Sequence, residues 1–218
     1  MMSENELRAA LVQHLRKQEL DNSVSNFLAD VLLDNCLSWK TAPFNKTQEI
    51  DGIVAFAFGN RVDDQGNRSP GPINEQLAET VVRYYSIFRP NNKCKVWAQW
   101  EIALKISEDA IPPDDLIVIN PIHDLTTGRT KYLSTKGVLE QVAQQLPEGK
   151  TVFVIAHRDH LWRCVNFTEK FRYRVVTAQD DMPSAYDTDS GQLWTTSRDR
   201  YILSDIITRL NTLRSERN

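Results

Sequence analysis

The chain has 218 residues, 41% hydrophobic and 25% charged, the balance of one folded domain with room for an appended segment. Lys and Arg number 26 against 29 Asp and Glu, a formal net charge of -3, which excludes a globally basic nucleic-acid binder. The 8 glycines never stand as G-x-G, which excludes the dinucleotide fingerprint and the Walker A loop.

Ser3 and Glu6 make a capping-box pattern, and Leu7, Leu11 and Leu15 recur at helical spacing, predicting a helix over 4–18. Asp21-Asn22-Ser23 breaks it and caps a second helix over 23–36, with Val24, Phe27, Leu28, Val31 and Leu32 on its apolar face. Residues 1–50 thus read as a helical extension packed on an α/β domain of 51–218. Residues 52–58, GIVAFAF, are an uninterrupted apolar run, which suits a strand buried on both faces. A polar loop leads to a helix over 73–88. Strands follow at 94–99, 116–119, 151–156 and 173–176. Helices are predicted between them at 100–109, 134–146 and 159–171, and a last one over 198–213. Alternation of this kind predicts a mainly parallel five-stranded sheet with helices on both faces.

No run approaches the roughly 18 apolar residues of a membrane span, and the charged N-terminal stretch is not a secretory signal, so no membrane partner is expected. Cys36, Cys94 and Cys164 form no C-x-x-C, which points to reduced thiols and a cytoplasmic location. The 4 histidines form no H-E-x-x-H, so no metal site is expected. No cofactor and no oligomeric state can be read from these patterns.

In open parallel sheets ligands bind outside the carboxyl ends of the strands. That rule selects Gly59-Asn60-Arg61, Gln99 to Glu101, Asn120 to Asp124, His157 to Arg163 and Thr177 to Asp181. His160 and Arg163, three apart on a first helical turn, suit an anion: Arg binds it bidentately and His donates or shuttles a proton. The alternative is a surface pair, with Asp159 as a simple helix cap. Asn60 and Arg61 can contact polar ligand groups or merely open a loop. Glu101 can hold a ribose hydroxyl or a cation, or face water. His123 and Asp124 can flank a pocket. Thr135 can touch ligand or cap its helix, and His157 can join the site from the strand end.

The stretch VFVIAHRDHLWRCVNFTEKFRYRVV, residues 152–176, resembles the last crossover of the SanA/ElyC/YdcF-like family of unknown-function domains. His160 and Arg163 match that family's His and Arg. GIVAFAFGN at 52–60 is similar to its opening strand, and Glu101 stands where it has an acid. AIPPDDLIVIN at 110–120 is similar to its next turn and strand, and Thr135 matches its helix-opening Thr. The chain lacks the family's Ser-Gly-Gly turn before Glu101. Gly137 and Val138 replace its Glu and Asn. The resemblance implies a Rossmann-like three-layer sandwich. It also implies a soluble bacterial protein that binds an anionic or nucleotide-like small molecule, with an S-adenosylmethionine-like ligand as one form. Catalysis would fall to His160 and Arg163, and binding to Asn60, Arg61, Glu101, Asp124, Thr135 and His157. Two alternatives stand beside it: a hydrolase or transferase using the same cleft, and a non-enzymatic interaction protein with a decayed site.

Overall fold

The computed structural model describes residues 3–37, 39–42, 44–45, 48–89, 94–124 and 129–215. Two compact units result: residues 1–40 with 202–218, and residues 41–201. The last helix therefore groups largely with the N-terminal helices, where the sequence had placed it with the α/β residues.

In the first unit, helix α1 spans Glu4–Lys17 and opens with the Ser3–Glu6 capping box, both reciprocal bonds present. Helix α2, Asn22–Asp30, is capped by Asp21, whose side chain accepts from the Val24 amide. It widens into a π-helical turn over Val31–Leu37, inside the segment expected to be α-helical. Arg8 on α1 bonds both Asp30 and Asp34, tying the two helices.

The second unit holds strands β1 (Gly52–Ala55), β2 (Arg61–Val62), β3 (Arg68–Ser69), β4 (Lys95–Gln99), β5 (Leu116–Ile119), β6 (Ile122–Asp124), β7 (Arg129–Lys131), β8 (Thr151–Ile155) and β9 (Arg174–Val176). Helices α3 (Pro72–Phe88), α4 (Trp100–Ala103), α5 (Thr135–Val142) and α6 (Leu161–Lys170) connect them. Helix α7, Arg198–Ser215, begins in this unit and continues into the first. Five strands form one wholly parallel sheet in the order β5-β4-β1-β8-β9. The two short antiparallel pairs, β2–β3 and β6–β7, were not foreseen.

All residues of β1 and β8 are buried, because both faces of the sheet are covered. The chain steps outward from β1 through β4 to β5, then returns past β1 to β8 and β9. Right-handed crossovers then put α3 and α4 on one face and α5 and α6 on the other. The packing agrees, with α3 against α4, and α5 against α6. On the α3 face, Phe153 of β8 sits among Phe44, Tyr84 and Phe88, ring centroids 5.1, 4.3 and 5.1 Å away. Gly52 is needed where β1 passes Trp97: a β-carbon there would lie 2.5 Å from the indole ring. This architecture is the α/β class expected, in the form of a Rossmann-like sandwich. The apolar run 52–58 is strand only to Ala55, and the helix expected over 100–109 ends at Ala103.

Candidate functional site

Beyond Ala55 the chain leaves the sheet but stays buried through Asn60. Its polar groups are taken up by side chains and by one later segment. The Ala57 amide donates to Gln99 Oε1 at 2.8 Å, and the Phe58 amide to Asn74 Oδ1 at 2.9 Å. Asn74 Nδ2 donates to the Gly59 carbonyl at 2.8 Å, and the Gly191 amide to the Asn60 carbonyl at 2.7 Å. Gly59 has φ 71°, and a β-carbon there would lie 2.7 Å from both Ser190 Oγ and Thr195 Oγ1. The segment around 183–196 therefore fills the space beside the end of β1.

That segment also covers the end of β8. His157 is fully buried and stacks on Phe58 at 3.9 Å between centroids, 10° between planes. The Asp159 amide donates to its Nδ1 at 3.3 Å, which makes Nε2 the protonated nitrogen, bonded to the Ala185 carbonyl at 2.9 Å. Burial lowers its pKa to about 4. Burial works against ionisation of Asp159 too. Even so, Tyr186, donating at 2.7 Å, and Arg198 hold that carboxyl below the usual range. His160 is buried and caps α6 without a side-chain capping bond. Its Nδ1 lies 2.7 Å from the Tyr201 hydroxyl and receives Arg163 Nε and Nη2 at 3.3 and 3.1 Å. Arg163 also donates to the Tyr201 hydroxyl at 3.1 Å. The structure thus joins His160 and Arg163, inside an aromatic cluster of Phe58, His157, Tyr186 and Tyr201.

Arg61 turns to the same segment. Its guanidinium makes two 3.0 Å bonds to Asp187, a buried carboxylate at the start of α3, where a β-carbon on Gly71 would be 2.9 Å from Asp187 Oδ2. The chain supplies its own anion at that helix N-terminus, which has no side-chain cap. Arg61 is the main reason the Asp187 carboxyl lies below its usual range.

Asn60 and Glu101 are brought together on the other side of β1. Glu101, on α4, is fully buried and accepts from the Tyr132 hydroxyl at 2.6 Å. Burial raises its pKa, while Tyr132, Asn60 and the Arg68 charge act in the opposite direction. Arg68 Nη1 donates to Asn60 Oδ1 at 2.8 Å. The Asn60 side chain also bonds Glu101, loosely: among the described residues Asn60 Nδ2 and Glu101 Oε2 have no partner of ideal geometry. The indole N–H of Trp100 is likewise buried without one.

Arg68 and Trp100 line a cavity of about 600 Å³ at the carboxyl ends of β4 and β5, within the 300–1,000 Å³ usual for small-molecule sites. Asn120 is its third large polar wall, and Ala103, Leu104, Val118 and Pro121 supply apolar surface. The β2–β3 turn positions Arg68: Asp63 Oδ1 accepts from the Gln65 and Asn67 amides at 2.9 and 2.8 Å and folds the tip. The Gln141 amide group holds the Asn120 carbonyl at 2.9 Å.

Thr135 starts α5, but Ser134 is the cap, accepting from the Gly137 amide at 3.2 Å, and Thr135 does not line the cavity. The backbone of Asp124 ends β6, while its side chain and that of His123 lie outside the described residues. Among the described residues no group of three or more His, Cys, Asp or Glu is placed to hold a metal ion, and no helix is long and apolar enough to cross a membrane. Sequence reasoning missed Arg68 and Tyr132, which sit on the two unforeseen hairpins or beside them. It also missed Asp187, Tyr186 and Tyr201. The turn-rich Asp63–Asn67 run was the one local signal that Arg68 is folded back toward β1. Comparison of the chain with protein-family models, with curated proteins and with solved structures finds no match.

Proposed function

We propose that the α/β unit binds an anionic, nucleotide-like small molecule in the cavity at the ends of β4 and β5. One observation carries this: Arg68 and Trp100, with Asn120, line a cavity of ligand size at the carboxyl ends of two sheet strands. Arg68 offers a charged fork for phosphate or carboxylate, and the Trp100 indole a face for a flat ring. A divergent, cytoplasmic member of the SanA/ElyC/YdcF-like group would be one home for such binding, with S-adenosylmethionine among the ligands to try.

The proposal moves the binding centre away from His160 and Arg163. What weighs against a hydrolase or transferase built on them is that His160 Nδ1 is engaged by Tyr201 and Arg163. The test is calorimetric titration with AMP, S-adenosylmethionine and inorganic phosphate against the intact chain and Arg68→Ala. A charge-assisted bond of about 1.5–3 kcal/mol predicts a loss of tenfold or more in the variant. Failure of all three to bind, or equal affinity in Arg68→Ala, would overturn the proposal.

A further inference from the structure

We infer that Asn120 reads the edge of a flat ring laid against Trp100, so that the ligand is a nucleotide whose base presents a hydrogen-bond donor beside an acceptor. The inference deepens the binding proposed above and rests on it. It starts from strand register. Gln99 and Ile119 are the last partnered residues of β4 and β5. Trp100 and Asn120 are each the next residue, where the chain leaves two neighbouring strands about 5 Å apart. Both line the cavity, together with Arg68 from the β2–β3 hairpin. A ring held on the Trp100 indole therefore has Asn120 as its neighbour.

The main chain of Asn120 is fixed and its side chain is not. The Gln141 amide group donates to the Asn120 carbonyl at 2.9 Å, and Pro121 restricts the residue before it to extended backbone. Asn120 is exposed, and its Nδ2 reaches the Val118 carbonyl only at 3.5 Å, the outer limit of a hydrogen bond. A carboxamide presents one donor and one acceptor side by side, the pattern that pairs with a base edge such as that of adenine. A phosphate or carboxylate offers acceptors alone and satisfies half of the pair. A sugar hydroxyl is a single atom and does not span both. Because no strong bond fixes the Asn120 amide, it turns over and exchanges its donor with its acceptor. Adenine, with an amino group beside a ring acceptor, and hypoxanthine, with a carbonyl beside a ring N–H, therefore both fit. The ring must carry the pair, in either order. Arg68 supplies the charge for the phosphate of the same molecule.

The probes are AMP, IMP, purine riboside 5′-monophosphate and ribose 5-phosphate, titrated into the full chain. Purine riboside keeps the ring of AMP but has only hydrogen in place of the amino group. AMP and IMP should bind within about threefold of each other. The purine riboside form should bind about three- to tenfold more weakly than AMP, the effect of one bond left unmade where two are offered, and ribose 5-phosphate more weakly still. Asn120→Leu keeps the size of the side chain and removes both polar atoms. It should bring AMP down to the affinity of the purine riboside form and leave that form unchanged, which a merely structural Asn120 would not do. Because the wild-type comparison needs no variant, a misfolded Asn120→Leu chain leaves the result readable. Equal affinity of AMP and the purine riboside form, IMP more than threefold weaker than AMP, ribose 5-phosphate as tight as AMP, or an unchanged AMP preference in Asn120→Leu would each overturn the inference, leaving the binding site itself standing. No binding by any probe would overturn both.

Discussion

His157 makes folding stability depend on pH in a way that can be calculated. Its ring is fully buried on Phe58, and both nitrogens are committed, Nδ1 to the Asp159 amide and Nε2 to the Ala185 carbonyl. Protonation would put a second N–H where the Asp159 amide already donates. Burial accordingly lowers the pKa to about 4, from about 6.5 for an unperturbed histidine. Between those values the unfolded chain holds the proton and the folded chain does not. Stability must then fall as the pH drops from about 6.5 toward 4, and it is unaffected above that window. The difference between the two values corresponds to about 3 kcal/mol at its limit, of which about 2 kcal/mol is lost by pH 5. Glu101 and Glu169, raised by burial, act in the opposite sense, since each binds its proton more readily when folded. A difference measurement removes them. His157→Phe keeps the stacked ring and cannot titrate. Urea unfolding of both proteins at pH 7.5 and pH 5 should show the wild type losing about 2 kcal/mol more than the variant. The His157 ring resonances should also show no titration above pH 5. Equal losses in the two proteins, or an NMR titration centred near pH 6.5, would mean that the ring is solvated and would refute the reasoning.

Further expectations concern backbone, thiols and the Arg61 pair. Gly59→Ala must hold an L-residue at φ 71° against Ser190 and Thr195, and should lower stability by about 1–3 kcal/mol in urea unfolding. An unchanged midpoint would show that the loop relaxes freely. Gly52→Ala should cost a similar amount, roughly 1–3 kcal/mol, because the Trp97 ring must move, and a blue- or red-shifted indole emission would report that movement. Cys36, Cys94 and Cys164 are all buried, and burial pushes the Cys94 thiol up to about 12. A thiol reagent at pH 8 should modify none of them rapidly until urea is added; fast reaction of one in the folded chain would contradict the packing. Arg61→Ala removes the partner that holds Asp187 ionised, so its carboxyl pKa should rise. The variant should be less stable than wild type at neutral pH. The gap should close as the pH falls through the native Asp187 titration, and a gap independent of pH would exclude the ion pair as its cause.

Much of this protein was legible from local pattern. GIVA, KVWAQ, LIVI and TVFVI are short apolar runs with helices between them, and a strand buried on both faces has little choice but a parallel sheet covered on two sides. The capping residues Ser3 and Asp21 were visible because a cap acts within three residues of itself. The strand-end rule also selects Asn60, Glu101 and His160, since position at the end of a strand follows from chain order alone. What each of these side chains faces was not legible. His157 and His160 were chosen for an open cleft, and the chain fills that place with Tyr186 and Tyr201, thirty to forty residues later. Arg61 was chosen for a ligand and is held by Asp187, 126 positions away. Arg68 lies in a stretch whose polar composition reads only as loop, yet it joins Asn60 to the cavity. Burial periodicity and capping are short-range effects, so a sequence displays them. Pairing of a charge or filling of a crevice is decided by which distant segment packs there, and only the tertiary structure decides that.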